Sequence, residues 1–254
     1  MTDSLKDSFG LPKEPQKHPN PPFMAVYEKG GKKLIFLAAR HERDMGSPTF
    51  RLIDDLFARF HPDAVVIEAC SNEGEKSPAG YAADVRNHQK ISFSQVGEPA
   101  YAAWKAMENG ADFILAEPPD RLVVGDVLSR GFTVEDLVAS YLYLDIRGLL
   151  LNKKDIDEDF MDRQAQQYGQ RYGLEGGYSF DRFRAWYAEK IGVPYSGEDI
   201  RNYDFWPCKR PGSRIVEDIH DEEIRDPHIA SVIKKYFAEE GIKTLAVVYG
   251  AKPF

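Results

Sequence analysis

The sequence PDAVVIEA, at residues 62–69, decides the fold. Its apolar residues follow one another without alternating with polar ones, which is typical of a strand buried on both faces. Three further runs have the same character: LIFLAA at 34–39, FILA at 113–116 and TLAVVY at 244–249. The four runs predict an α/β fold with a central, largely parallel sheet.

Helix signals lie between these strands. Ser47 followed by Pro48 predicts the start of a first helix, because serine is a preferred N-cap and proline fits the first helical position. Similar starts at Gly97-Glu98-Pro99 and at Asp226-Pro227 predict a second and a third helix. A buried strand follows each of them, so repeated βαβ units are expected to place helices on both faces of the sheet.

The run FMAVYE at 23–28 predicts one more strand, which is more exposed than the others. The turn residues KGGK at 29–32 separate it from the strand at 34–39, so these two strands are expected to form a hairpin. The hairpin would add one antiparallel strand to the sheet.

The domain organisation is predicted from the remaining segments. Residues 1–21 are polar and proline-rich and predict a flexible arm, whereas residues 22–254 predict a single α/β domain. Residues 133–149 predict a further helix. Residues 150–213 are rich in aromatic side chains and lack a strand signal, which predicts a helical insert. This insert is either a subdomain with its own core or a cap over a cleft.

Composition argues against two classes of function. The formal net charge is -8, and a nucleic-acid-binding protein needs a basic face, so no nucleic-acid partner is expected. No run of about 18 apolar residues is present, so no membrane span is expected. The first residues lack the apolar region of a secretory signal, and we therefore expect a cytoplasmic location. Cys70 and Cys208 are expected to be reduced thiols.

Polar residues stand at the C-terminal ends of the predicted strands. Arg40 and His41 follow the run at 34–39, Glu68 lies at the end of PDAVVIEA, and Glu117 follows FILA. In open α/β sheets the ligand crevice lies beyond the carboxyl ends of parallel strands. The sequence therefore predicts that His41 and Glu68 meet at one edge of the sheet and form the functional site.

Glu68 is the most informative of these residues. Burying a carboxylate in an apolar strand costs several kcal/mol unless the group is paired or bound to a metal. One interpretation is a structural salt bridge with Arg40 or Arg225; the other is a functional role. A histidine on the neighbouring strand favours the second, because imidazole and carboxylate together suit metal binding or acid–base catalysis.

The other polar residues near these strand ends carry a weaker signal. The dipole of the predicted helix would stabilise Glu98 whatever its role. Arg225 precedes another helix start, where it would bind an oxyanion or neutralise Glu68. Glu42 is expected to point away from the site. A structural role is favoured for three others: Asp44, Glu117 and His228.

Four segments, in this order, resemble motifs of the TraB/PrgY/Tiki family, within the wider erythromycin-esterase and ChaN-like group. They are LAARH at 37–41, PDAVVIE at 62–68, GEPAYAA at 97–103, and RDPHIA at 225–230 followed by LAVVYGA at 245–251. The first is similar to a strand that ends in G-x-x-H, with Ala38 where glycine is usual. The fourth is similar to a strand that ends in a second G-x-x-H, and there the histidine would fall at Pro253.

The resemblance implies an α/β fold with a histidine–glutamate site, to which it adds Glu98. Tiki-like members are metal-dependent proteases, erythromycin-esterase-like members hydrolyse esters without a required metal, and ChaN-like members bind haem iron. By this resemblance His41 and Glu68 would hold a divalent metal such as Zn, Mn or Co. A site with one histidine favours a harder metal over zinc. Pro253 in place of the second histidine indicates an altered end of the chain or a lost ligand.

Our leading hypothesis is a hydrolase of peptide or ester bonds. His41 and Glu68 would deprotonate a water molecule or hold a metal that does so. Arg225 or Arg40 would stabilise developing negative charge, and Glu98 would be a further ligand or base. The alternative is a non-catalytic ligand-binding or regulatory module on the same fold. The expected partner is a small molecule or a peptide, and homo-oligomer formation is left open.

Overall fold

The computed structural model describes residues 20–42, 44–69, 78–89, 93, 96–151, 154–197, 200, 214–220 and 224–250. The chain divides into two compact units. The first comprises Met1–Pro119 and Arg225–Phe254, and the second comprises Asp120–Ile224. The first unit contains the sheet, and the second contains the predicted insert together with the two helices that precede it.

The sheet has five strands in the described residues. They are β1 (Phe23–Lys29), β2 (Lys32–Ala39), β3 (Ala64–Ile67), β4 (Asp112–Leu115) and β5 (Thr244–Gly250). Their order across the sheet is β1-β2-β5-β3-β4, so β5, the last of these strands in sequence, lies in the middle. β2, β3, β4 and β5 pair in parallel, and the predicted α/β fold with a largely parallel sheet is confirmed.

The hairpin forms as predicted. β1 pairs antiparallel with β2, and Lys29 lies opposite Lys32 across the turn. Gly30 and Gly31 have φ angles of 59° and 78°, which glycine adopts without steric cost. Two consecutive positive φ angles are what a type I′ hairpin turn requires.

Helices cover both faces of the sheet. In the first unit they are α1 (Pro48–Phe60), α2 (Pro78–Gln89), α3 (Gly97–Glu108) and, near the end of the chain, α9 (Arg225–Ala238). Side chains of α1, α2 and α3 pack on one face, against Ile35, Leu37 and Val248. Side chains of α9 pack on the other face, against Leu34 and Val247. Alternate residues of each strand thus serve two cores, which explains the continuous apolar runs.

The second unit is helical in its described residues. Its helices are α4 (Asp120–Ser129), α5 (Val134–Leu151), α6 (Glu158–Arg171), α7 (Phe180–Ile191) and α8 (Arg214–Ile219). They enclose a separate core rich in aromatic side chains, including the fully buried Phe183 and Tyr187. The buried Asp136 accepts hydrogen bonds from Thr133 and from the Trp186 indole. Of the two interpretations of the insert, a subdomain with its own core agrees with this arrangement.

Some sequence predictions fall outside the described residues. They concern most of the arm at 1–21, the thiols of Cys70 and Cys208, and the position of Pro253. Among the helices that the structure does describe, none combines the length and the apolar character that crossing a membrane requires.

Asp63 ties β3 to β5. Its Oδ2 accepts hydrogen bonds from the backbone N–H groups of Lys243 and Thr244, each at 2.8 Å.

We expect Asp63→Ala to lower the free energy of unfolding by about 1–3 kcal/mol, because two N–H groups lose a charged acceptor. Urea unfolding measures this change. Asp112→Ala is the control, because the exposed carboxylate of Asp112, at the start of β4, makes no hydrogen bond to any described residue. Equal losses of unfolding free energy in the two variants would contradict the prediction.

Candidate functional site

The site lies where strand ends and helix starts converge in the first unit. The residues come from six elements: His41 after β2, Glu68 after β3, Glu117 after β4, Tyr249 and Gly250 in β5, Glu98 at the start of α3, and Arg225 at the start of α9. Since the parallel strands all end at this edge, residues far apart in sequence are brought together there.

His41 and Glu98 form the closest pair at this edge. The distance from His41 Nδ1 to Glu98 Oε1 is 2.5 Å. Glu98 is 2% exposed, whereas the side chain of His41 is 68% exposed. A buried carboxylate is costly without a partner, so the imidazole compensates Glu98 on one side and faces solvent on the other.

The start of α3 accounts for the position of Glu98. Gly97 has a φ angle of 82°, which lets the chain turn sharply into the helix. Glu98 lies in the first helical turn, where the helix dipole stabilises negative charge. The local sequence thus directs a carboxylate into the interior beside His41.

The electrostatics of His41 follow from this pair. A carboxylate only accepts hydrogen bonds, so Nδ1 of His41 carries the proton and Nε2 is the basic nitrogen of the neutral ring. The hydrogen bond with Glu98 raises the pKa of His41 above its ordinary value of 6.5. Burial and the positive charge of Arg225 lower this pKa, but the hydrogen bond together with the negative charges of Glu98 and Glu68 outweighs them.

The two carboxylate oxygens of Glu68 have different partners. One carboxylate oxygen, Oε1, accepts a hydrogen bond from Arg225. The other, Oε2, accepts from the backbone N–H of Gly250 at 2.5 Å and lies 4.0 Å from His41 Nε2. Glu68 is therefore neutralised by Arg225 and also adjoins the basic nitrogen of His41.

Arg225 bridges two carboxylates. Its Nε lies 3.0 Å from Glu117 Oε2, and a terminal nitrogen donates to Glu117 Oε1 at 2.8 Å and also to Glu68. The hydroxyl of Tyr249 donates to Glu117 Oε1 at 2.8 Å. Burial works against the charge of Arg225, but the hydrogen bonds with Glu117 and the negative charges of Glu117 and Glu68 raise its pKa above the usual value.

Gly250 allows these groups to approach one another. A Cβ atom at this position would overlap His41 Nε2 and would lie 2.5 Å from His41 Cε1 and 2.7 Å from Glu68 Oε2. Separations this short do not occur for real side chains, so any larger residue here would displace the imidazole or the carboxylate.

The structure brings the sequence-predicted residues His41, Glu68, Glu98 and Arg225 together. Of the two arginines considered for Glu68, Arg225 makes the ion pair. The other candidates lie elsewhere or face different groups. Asp44 accepts from the Gly46 N–H, the His228 carbonyl accepts from Ser231, and one buried Glu42 oxygen has no partner among the described residues.

Two residues of the site were missed or underrated in the sequence. Tyr249 reads as one more apolar strand residue, because nothing local reveals that its hydroxyl faces a carboxylate. The sequence favours a structural role for Glu117, although its position two residues after a strand is a usable signal. Both were difficult to recognise because their partners are more than 100 positions away in sequence.

The metal-binding potential of the site depends on its donor atoms. Within the described ranges, no three or more His, Cys, Asp or Glu side chains are grouped so that they could hold a metal ion. His41 and Glu68 supply two donors, and Arg225 adds a positive charge beside Glu68 that opposes a cation. These residues alone fit a metal poorly, and metal binding stays a prediction.

Comparison of the chain with protein-family models, with curated proteins and with solved structures finds no match.

The fit around Gly250 gives a testable consequence. We expect Gly250→Ala to lower the free energy of unfolding by about 1–3 kcal/mol, because the new methyl group displaces His41 or Glu68. Urea unfolding measures the change.

Gly241→Ala is a matched control, since a Cβ there meets no atom within 4 Å and its φ angle is not left-handed. The cost of Gly250→Ala should also shrink in a His41→Ala background, where part of the overlap is removed. Equal effects at 250 and 241 would show that the close approach is absent.

Proposed function

We propose that the protein is a hydrolase of ester or peptide bonds in which His41 is the general base. The observation that carries this proposal is the Glu98–His41 pair, in which a buried carboxylate orients an exposed imidazole. In this arrangement Nδ1 is tied to Glu98, and Nε2 is the ring nitrogen left to act on a substrate or a water molecule. Such an oriented imidazole is the usual group for proton transfer in hydrolysis.

The proposed mechanism uses Nε2 of His41 to take a proton from water as the water attacks the carbonyl carbon. Glu98 stabilises the imidazolium that forms, and His41 then returns the proton to the leaving oxygen or nitrogen. Glu68 lies 4.0 Å from Nε2, a separation that one bridging water molecule spans. We assign to Glu68 the role of orienting that water molecule.

The developing negative charge on the substrate also needs a donor. Arg225 already forms ion pairs with Glu68 and Glu117, so its positive charge is compensated by two carboxylates of the protein. Arg40 is exposed beside His41 and makes no ion pair with any residue in the described ranges. We therefore assign the stabilisation of the oxyanion to Arg40 in preference to Arg225.

The resemblance to the TraB/PrgY/Tiki family supports the same proposal, since its motifs contribute His41, Glu68 and Glu98. We propose membership of that wider group, a small-molecule or peptide substrate and a cytoplasmic location. The metal-dependent variant, with Zn, Mn or Co held by His41 and Glu68, is a part of the proposal that metal analysis tests. The alternative function is ligand binding without turnover on the same fold.

The test is hydrolysis of a panel containing p-nitrophenyl acetate, p-nitrophenyl butyrate and quenched fluorescent peptides of mixed sequence. We expect His41→Ala to lower kcat/KM by about 100-fold or more, because a general base contributes that much. Glu98→Gln should lower it about tenfold, because the imidazole loses its charged partner. Each variant is assayed with EDTA and with added Zn, Mn or Co.

His61→Asn is the matched control, because His61 is an exposed histidine at the C-cap of α1 and asparagine tolerates its positive φ angle. It should leave hydrolysis unchanged. If wild-type protein hydrolyses nothing, or His41→Ala retains the wild-type rate, the hydrolase proposal is wrong and ligand binding becomes the favoured function. Loss of activity in EDTA, restored by one metal, would replace the metal-free mechanism with the metal-dependent one.

A further inference from the structure

Glu117 makes no hydrogen bond or ion pair with His41 or Glu98 in the described residues, yet it accepts three hydrogen bonds from Arg225. The guanidinium approaches both Glu117 oxygens, through Nε and a terminal nitrogen. This two-point contact fixes the plane of the guanidinium, which a single hydrogen bond does not do. Glu117 therefore fixes the direction in which the other N–H groups of the Arg225 guanidinium point.

Tyr249 contacts both Glu117 and Arg225. Its hydroxyl donates to Glu117 Oε1 at 2.8 Å, and its ring centroid lies 5.4 Å from the guanidinium carbon of Arg225. Burial, with the negative charge of Glu117 adding to it, raises the pKa of Tyr249, so the hydroxyl keeps its proton and remains a donor. The ring and the hydroxyl thus fix both members of the Arg225–Glu117 pair.

The result of this arrangement is seen at Glu68. The terminal nitrogen of Arg225 that contacts Glu117 also donates to Glu68 Oε1. With Oε1 occupied in this way, Oε2 is the oxygen that meets the Gly250 N–H and faces His41. The groups that orient Glu68 toward His41 therefore lie on the face of the sheet that α9 covers. Tyr249 and Ile229 belong to the same core on that face.

We propose that Glu117 and Tyr249 form a clamp on Arg225, and that this clamp positions Glu68 beside His41. Both are positioning residues, since neither touches the reacting atoms. The catalytic consequence of the clamp rests on the hydrolase function proposed for the site, whereas the clamp itself is a property of the folded protein.

The clamp is tested first without any substrate. In wild-type protein, the Nε–Hε group of Arg225 should give a resolved 1H–15N signal that exchanges slowly with water, because it is held by Glu117. Glu117→Gln keeps the shape of the side chain and removes its charge, so this signal should exchange faster. Tyr249→Phe removes only the hydroxyl and should act in the same direction. Glu240→Gln, on an exposed glutamate after α9, is the control.

Hydrolysis then tests the consequence. Glu117→Gln should lower kcat by about tenfold to a hundredfold with KM unchanged, because misplacing a catalytic group costs that much and substrate binding is not involved. Tyr249→Phe should lower kcat less, and its thermal unfolding shows whether the fold is intact. Glu240→Gln should leave kcat, KM and the Arg225 signal unchanged.

The outcomes separate the two proposals. A faster-exchanging Arg225 signal together with a reduced kcat supports the clamp and its role. An Arg225 signal unchanged in Glu117→Gln and Tyr249→Phe overturns the clamp. A faster-exchanging signal with unchanged kcat overturns its positioning role and leaves the hydrolase proposal intact. Failure of wild-type protein to hydrolyse any substrate overturns the hydrolase proposal, and the clamp is then decided by the Arg225 signal alone.

Discussion

Burial of the Glu98 carboxylate is the constraint on which the site depends. Only 2% of Glu98 is exposed, and a carboxylate in such a position is stable only with a hydrogen-bonding partner. His41 is that partner, so the start of α3 and the end of β2 must lie side by side. Gly97 at the helix start and Gly250 beside the imidazole are the local adjustments that permit this arrangement. The exposed side of His41 is then free for chemistry.

Much of the first unit could be predicted from its sequence, because burial on both faces leaves a direct mark on a strand. The runs at 34–39, 64–67 and 245–249 are apolar throughout, because alternate residues of each strand pack into the two cores. The order of the strands in the sheet could not be predicted from such a pattern. β5 lies between β2 and β3 through contacts with residues more than 150 positions away, which no local pattern encodes. The second unit shows the same limit, since its aromatic residues predicted a core but not which helices enclose it.

The same distinction applies to the site, where some residues could be predicted from the sequence and others could not. The meeting of His41 and Glu68 was predictable because the carboxyl ends of parallel strands converge on one edge of the sheet. The choice of Arg225 over Arg40 as the partner of Glu68 depends on how α9 lies against the sheet, which the sequence does not specify. The part played by Tyr249 was hidden for another reason: a tyrosine in a buried strand satisfies the apolar pattern, and only the structure brings its hydroxyl to Glu117.

The pKa of His41, measured by NMR titration of its imidazole, tests most directly whether Glu98 governs this site. The wild-type pKa should lie above 6.5, and Glu98→Gln should lower it, because the hydrogen bond with Glu98 is the largest cause of the shift. A raised pKa also means that the pair stabilises the fold below pH 6.5 and that this stabilisation is lost as the pH rises through the folded value. A wild-type pKa at or below 6.5, or one that Glu98→Gln leaves unchanged, would contradict the Glu98–His41 pair.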